Sequence, residues 1–295
     1  RINTYSYKNS FRLSVLFKNT KPIFDFFLPE YYIDETTTLN AEFDSEKLKF
    51  GLHCQSPRVR IKDLVWNDYY IDIIGNTGRL EFESGGLSLV FNDQIMLDNF
   101  TVISNAYNDS VNLLARWNNW EEPVYRGSIN ANLLFSKPSG YSHPRIAVNL
   151  LPTTVVTYDT IWMINQCEIL IDSNNLIVND FSINHHEELF TLNGRLSSKP
   201  EDKIDLSFIN FNLGNLNNVT NAKGLQIEGI LNGEASFSSL LKNPMIISNL
   251  NIDSLIINKE KLGTANIIST WDNAKKALEI QAYACLLYTS PSPRD

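Results

Sequence analysis

The chain has 295 residues, 43% of them hydrophobic, enough apolar material to bury a large surface and too much for a disordered polymer. Its net charge of -8 supplies no basic stripe to displace counterions from a phosphate backbone, which excludes nucleic acid as a partner. No run approaches the roughly eighteen apolar residues of a membrane-spanning helix.

From the N-terminus the sequence reads as strand after strand. Phe11, Leu13, Val15 and Phe17 alternate with Arg12, Ser14 and Leu16, and Lys18-Asn-Thr-Lys-Pro22 stops them. Ile23 to Phe27, Thr38 to Phe43 and Leu48 to Leu52 follow as strands, then Val59, Ile61 and Leu64, then Tyr69 to Ile74. Gly75-Asn-Thr-Gly78 predicts a turn before Leu80-Glu-Phe-Glu83. Gly85-Gly86 predicts a second stop, after which Leu87, Leu89 and Phe91 resume the alternation. Apolar spacing at the helical period is missing throughout, so helix is expected at most as a single turn within Ser238 to Asn243.

Val111-Asn-Leu-Leu-Ala-Arg-Trp-Asn-Asn119 is echoed by Ala265-Asn-Ile-Ile-Ser-Thr-Trp-Asp-Asn273. Each reads as the first strand of a hairpin ending on Trp, with a second strand at Tyr125 to Phe135 or Ala277 to Ala282. The echo fits either converging hairpin chemistry or a repeat unit that needs stacked neighbours. A soft boundary near Pro152-Thr-Thr154 divides the chain into segments 1–151 and 152–284 of one continuing sheet.

The clearest alternation runs from Leu225 to Phe237. Leu225, Ile227, Gly229, Leu231, Gly233, Ala235 and Phe237 occupy one face, and Gln226, Glu228, Asn232, Glu234 and Ser236, with Ile230, occupy the other. Ile204, Leu206 and Phe208 before it, and Leu250, Ile252, Leu278 and Ile280 after it, follow the same rule. The expectation is a broad sheet with one apolar and one polar face.

Residues that carry chemistry are scattered. His185-His186 point to opposite faces of a strand and read, with Glu187-Glu188, as a polar turn rather than a metal site. Glu121-Glu122 and Asp34-Glu35 are adjacent pairs on turns, and Glu81 and Glu83 form the wet side of a strand. No nucleophile elbow, phosphate loop or calcium loop is present. Cys54 and Cys167 are too far apart for a paired motif. The chain is therefore expected to be no enzyme, with no catalytic, metal or cofactor-binding residues. Trp117 and Trp120 are conceivable as a sugar-binding platform, although Trp at strand ends is ordinary structural usage.

Cys285-Leu-Leu-Tyr-Thr-Ser-Pro-Ser-Pro-Arg-Asp295 looks like a translated sequencing adapter, so 285–295 are treated as a non-native tail. With Arg1 in place of a Met, the chain is expected to be a piece of a longer protein.

The series from Val155 to Ala284 resembles the TamB/AsmA-like family of translocation-and-assembly-module proteins, in the form found in Bacteroidetes. The residues that carry the likeness are Asp159-Thr-Ile-Trp162, Ile169 to Val178, Phe190-Thr-Leu-Asn-Gly-Arg-Leu-Ser-Ser198 and Asp205-Leu-Ser-Phe208. They continue through Leu225 to Gly233, Pro244 to Ile252, and Leu262-Gly263 leading to Trp271-Asp272. The earlier half is similar through its strand rhythm and turns such as Asn149-Leu-Leu-Pro152. The resemblance implies an all-β, elongated, curled, mostly antiparallel sheet forming a groove with an apolar concave face. It implies a periplasmic location, a parent protein tethered to the inner membrane and reaching the outer one, and membrane contact through parts outside this chain. It also implies movement of phospholipid between the membranes, assistance to outer-membrane protein assembly, and a TamA-type barrel as partner.

A sheet with one apolar face and no covering helices must roll up, pair with another sheet or hold something apolar. Acyl chains suit such a face, since each buried CH₂ contributes about 0.8 kcal/mol without a specific pocket. Leu206, Phe208, Leu225, Ile227, Leu231, Ala235, Phe237 and Ile252 are the expected lining of the lipid groove. The alternative is a secreted β-sandwich or solenoid adhesin, or a carbohydrate-binding module. The two are told apart by whether the apolar set faces an open groove or a sealed two-sheet core.

Overall fold

The computed structural model describes residues 8–91, 95–120, 124–137, 144–158, 160–172, 175–197, 199, 201–220, 224–238, 245–272 and 277–285. Most of the described residues are strand, and the pairings traced below are antiparallel. The chain divides into two compact units, Arg1–Trp162 and Met163–Asp295.

The first unit contains β1 (Ser10–Leu16), α1 (Lys21–Phe27), β2 (Tyr31–Ile33), β3 (Thr38–Asp44), β4 (Lys49–Ile61) and β5 (Leu64–Asn76). It continues with β6 (Arg79–Phe91), β7 (Ile95–Tyr107), β8 (Ser110–Asn118), β9 (Tyr125–Ser136), β10 (Arg145–Leu150) and β11 (Thr153–Thr157). β1 pairs with β3, and from β3 to β10 each strand pairs with the next in sequence. β2 adds to β4, and β11 returns onto β9, with Val155 opposite Gly127. The bend at Pro152 thus joins two strands that both lean on β9, and the division between units falls later, at Trp162/Met163. β12 (Thr160–Ile164) straddles that division, and its Met163 and Ile164 pair with Asn184 and Ile183.

The second unit is a meander of β13 (Cys167–Asp172), β14 (Asn175–His185), β15 (Glu188–Leu196), β16 (Lys203–Asn212), β17 (Ile227–Ser238), β18 (Met245–Ile257), β19 (Glu260–Asp272) and β20 (Ala277–Cys285). Each strand pairs with the next. A 3-10 turn at Leu213–Leu216 and a helical turn, α2 (Asn217–Thr220), sit between β16 and β17.

Two-residue loops set the strand register. Asn258 and Lys259, at φ of 48° and 73°, join β18 to β19, which is the doubly left-handed turn that follows the right-handed twist of the strands. Lys62-Asp63, Thr77-Gly78, Asn108-Asp109 and His186-Glu187 make the same two-residue connection. Both echoed segments form hairpins, with Trp117 opposite Gly127 and Trp271 opposite Leu278.

Two strand-level expectations are corrected. Ile23 to Phe27 is not a strand but the body of α1, where Pro22 occupies the first turn and its fixed φ favours helix. Gly85-Gly86 does not stop a strand. It lies inside β6, whose register with β5 and β7 continues unbroken past it, and a Cβ on Gly85 would come within 2.6 Å of the Phe100 carbonyl, so glycine there permits a close backbone approach. The helical turn expected in Ser238 to Asn243 lies outside the described residues apart from Ser238, which ends β17. Of the supposed adapter tail, Cys285 closes β20 opposite Thr264, and residues 286–295 lie outside the described residues.

Candidate functional site

In the first unit the register lines up apolar side chains across the strands. One row runs Phe11, Phe43, Phe50, Gly75, Leu80, Ala106, Val111, Leu133, Val148, from β1 through β10. Two residues along, a second row runs Leu13, Ala41, Leu52, Ile73, Phe82, Ser104, Leu113, Ala131, Leu150. A third follows Val15, Leu39, Cys54, Ile71, Ser84, Val102, Ala115, Ile129. The opposite face carries Glu42, Gly51, Ile74, Glu81 and the ladder Asn105, Asn112, Asn132, Asn149.

The apolar rows are not sealed. Of the first two rows only Gly75 and Ala131 are buried; Phe11 keeps 52% of its exposure and Leu80 43%. A two-sheet core would bury these side chains, whereas here the main packing partners of each strand are its ladder neighbours. Near one end of the first row, Phe43, Leu48, Phe50, Leu80 and Ala106 border a recess of about 460 Å³. Cys54 lies half-buried in the third row, and burial pushes its thiol above the ordinary range, so it remains a neutral, small apolar group there.

In the second unit all but one of the expected lining residues share a face. Leu206 pairs with Ala235, Phe208 with Gly233, Leu231 with Ile252, and Phe237 with Ile204 and Ile246. Leu231 and Ile252 are buried with Leu213, Leu255 and Ala265, and Ile227 and Phe208 pack against that cluster. Ala235 is buried as well, while Leu206, Phe208, Ile227 and Phe237 are half-buried. Leu225 falls outside the strand. It is exposed, its N–H donates to the Thr220 carbonyl, and β17 begins only at Ile227.

The face therefore has a closed part, where the 3-10 turn lays Leu213 over β17, and a more open part along β15 and β16. Sequence reasoning missed a run of rings that leads from the open part to the closed cluster, which Phe208 and Phe211 touch. Phe181, Phe190, Phe208 and Phe211 follow one another with centroids 6.3, 5.1 and 5.8 Å apart. Their alternation was visible strand by strand, but only the register brings them together. Gly233 sits opposite Phe208 at φ +127°, and a Cβ there would lie 2.1 Å from the Asn249 carbonyl oxygen.

The polar faces carry paired rather than clustered charges. Asp205 accepts from the Ser236 hydroxyl at 2.5 Å and pairs with Lys203 at 2.9 Å. Burial pushes its carboxyl up, but those two partners outweigh burial and hold it below its ordinary range. His53 Nδ1 and Asp72 are 2.5 Å apart, and Glu83 accepts from the Tyr70 hydroxyl. Among the described residues no group of three or more His, Cys, Asp or Glu side chains is placed to hold a metal ion. His185-His186 stand at the β14–β15 turn, His186 at φ 49°.

Comparison with protein-family models, curated proteins and solved structures yields no match. The fold and the site thus define a class by physical description alone. The chain is an all-β, antiparallel protein whose sheets have one polar and one apolar, partly uncovered face.

Proposed function

We propose that this chain is a non-enzymatic part of a cell-envelope lipid carrier, holding phospholipid acyl chains against the apolar faces of its sheets. The observation that carries the reading is the three apolar rows of the first unit, continuous from strand to strand yet only half-buried. Uncovered apolar area on this scale marks a surface that meets something apolar. Among the described residues the three rows are apolar apart from Ser84 and Ser104, which suits a flexible hydrocarbon that gains about 0.8 kcal/mol per buried CH₂ wherever it lies. The periplasmic setting, transfer between inner and outer membranes and a TamA-type barrel partner are part of the proposal through the TamB-like sequence pattern.

A photoreactive amino acid placed at Leu52 or Phe208 in cells should capture phospholipid, and one placed at His53 or Glu234 on the polar faces should not. Lipid adducts at all four positions, or at the polar pair alone, would overturn the proposal. Absence of adducts at both apolar positions would do the same.

A further inference from the structure

On the polar side of the first unit, apolar and polar groups meet at the ends of β8 and β9. At the strand ends, Asn118, Arg126 and Thr154 border an open recess of about 650 Å³ together with Trp120, Val156 and Ile161. Asn118 and Arg126 continue the side of β8 and β9 that carries Asn112 and Asn132, whereas Trp117 and Gly127, which also border the recess, continue the third apolar row, so the recess sits at the strand ends where the two sides meet. Trp120 is 81% exposed. Exposing an indole forfeits one of the largest apolar burials any side chain offers.

The turn that carries Trp120 is nevertheless tightly tied. Buried Asn119 donates from Nδ2 to the Met96 carbonyl and accepts on Oδ1 from the Asp98 N–H, each at 2.8 Å. Its own N–H donates to the Tyr125 carbonyl at 2.8 Å, and Asn99 Nδ2 donates to the Asn118 carbonyl at 3.0 Å. The exposed ring thus projects from a turn fastened to β7 on one side and β9 on the other. A little further in, the Trp117 indole fills the space over Gly127, where a Cβ would meet it at 2.8 Å. Around Trp120, the side chains of Asn118, Arg126 and Thr154 make no hydrogen bond or ion pair among the described residues.

We infer that this recess is a saccharide-binding site. A sugar ring has an apolar face of C–H bonds and a rim of hydroxyls. The C–H face fits the electron-rich face of Trp120, and the hydroxyls fit the five donors of Arg126, the amide of Asn118 and the hydroxyl of Thr154. A purely apolar ligand fits worse, because covering the recess would strip water from those three polar groups and return no partner. The hydrogen bonds of Asn118 and Asn119 hold the backbone that leads into Trp120, so less ordering of that backbone is required on binding. The inference is independent of the lipid reading, since Trp120, Asn118 and Arg126 lie outside the apolar rows.

The test is a printed glycan array of neutral, N-acetylated and uronic oligosaccharides probed with the whole chain, followed by calorimetric titration of the strongest hit. Trp120→Ala is expected to weaken that hit about tenfold or more. Arg126→Gln should weaken it as well, and most strongly if the hit is a uronate. Both variants should keep the wild-type melting temperature, because neither side chain is buried. Lipid capture at Leu52 should be unchanged in both, which separates failure here from failure of the lipid proposal. An array without hits, or a hit whose affinity is indifferent to Trp120→Ala, overturns the inference.

Discussion

Truncating Leu231 to alanine and truncating Leu52 to alanine are expected to cost very different amounts of stability. Leu231 retains 7% of its exposure and is walled by Leu213, Ile252, Leu255 and Ala265. Removing its branched end leaves a hole that these neighbours can only partly close, so the loss should be about 3 kcal/mol, within the range for buried leucines. Leu52 lies between Ala41 and Ile73 in the second apolar row and is only half-buried. Its truncation removes a fraction of a side-chain burial and leaves a dent open to water, for a loss of about 1 kcal/mol. Native-state hydrogen exchange separates the two, because peptides from β16–β18 and from β3–β5 report each unit by itself. At about 1.4 kcal/mol per tenfold, exchange should quicken roughly 150-fold around Leu231 and roughly fivefold around Leu52. A loss of 3 kcal/mol or more for Leu52→Ala would mean that the apolar rows are sealed in a core, and the argument for an acyl-binding face would collapse.

Two further outcomes follow from backbone and charge. Gly233→Ala should cost more than 2 kcal/mol, because the new Cβ meets the Asn249 carbonyl at 2.1 Å and φ is +127°, whereas Gly78→Ala, at φ +75° with open space around it, should cost about 1 kcal/mol; equal shifts in melting temperature would refute the difference. Asp205, held below its usual range, stabilises the fold at pH above its ordinary 3.8 and loses that contribution as pH falls through its folded value. Ser236→Ala removes the shortest of its hydrogen bonds, so the carboxyl should titrate at higher pH by NMR, and the stability gap to wild type should narrow below about pH 4; a gap independent of pH would count against it.

Much of the strand pattern was legible because alternation is a local property. Burial along β17 follows it closely: Leu231 and Ala235 are buried, while Glu228, Ile230 and Glu234 on the other face are exposed. The edges of the reading failed where local chemistry competes. Leu225 continues the alternation in sequence but precedes the strand, since the chain is still leaving the helical turn that ends at Thr220. Gly85-Gly86 looks like punctuation, yet glycine also serves a close backbone approach within a strand, here against the Phe100 and Asn67 carbonyls. The apolar rows of the first unit and the ring series from Phe181 to Phe211 were illegible for another reason. They depend on which residue faces which across each hairpin, and that is decided by loop lengths rather than by any stretch read alone. The recess at Trp120 needed the same information, because its partners come from β8, β9 and β11.

The two-residue loops have an evolutionary consequence. Each hairpin hands its apolar positions to the next strand in register, so a duplicated hairpin inherits a matching row on arrival and requires no redesigned interior. The row from Phe11 to Val148 already crosses nine strands, roughly 40 Å at about 4.8 Å per strand. Lengthening or shortening it is a matter of copying or deleting whole hairpins, with reach changing in steps of roughly 10 Å. Such a sheet behaves as a ruler whose length the genome can edit, one hairpin at a time, while the chemistry of its surface stays the same.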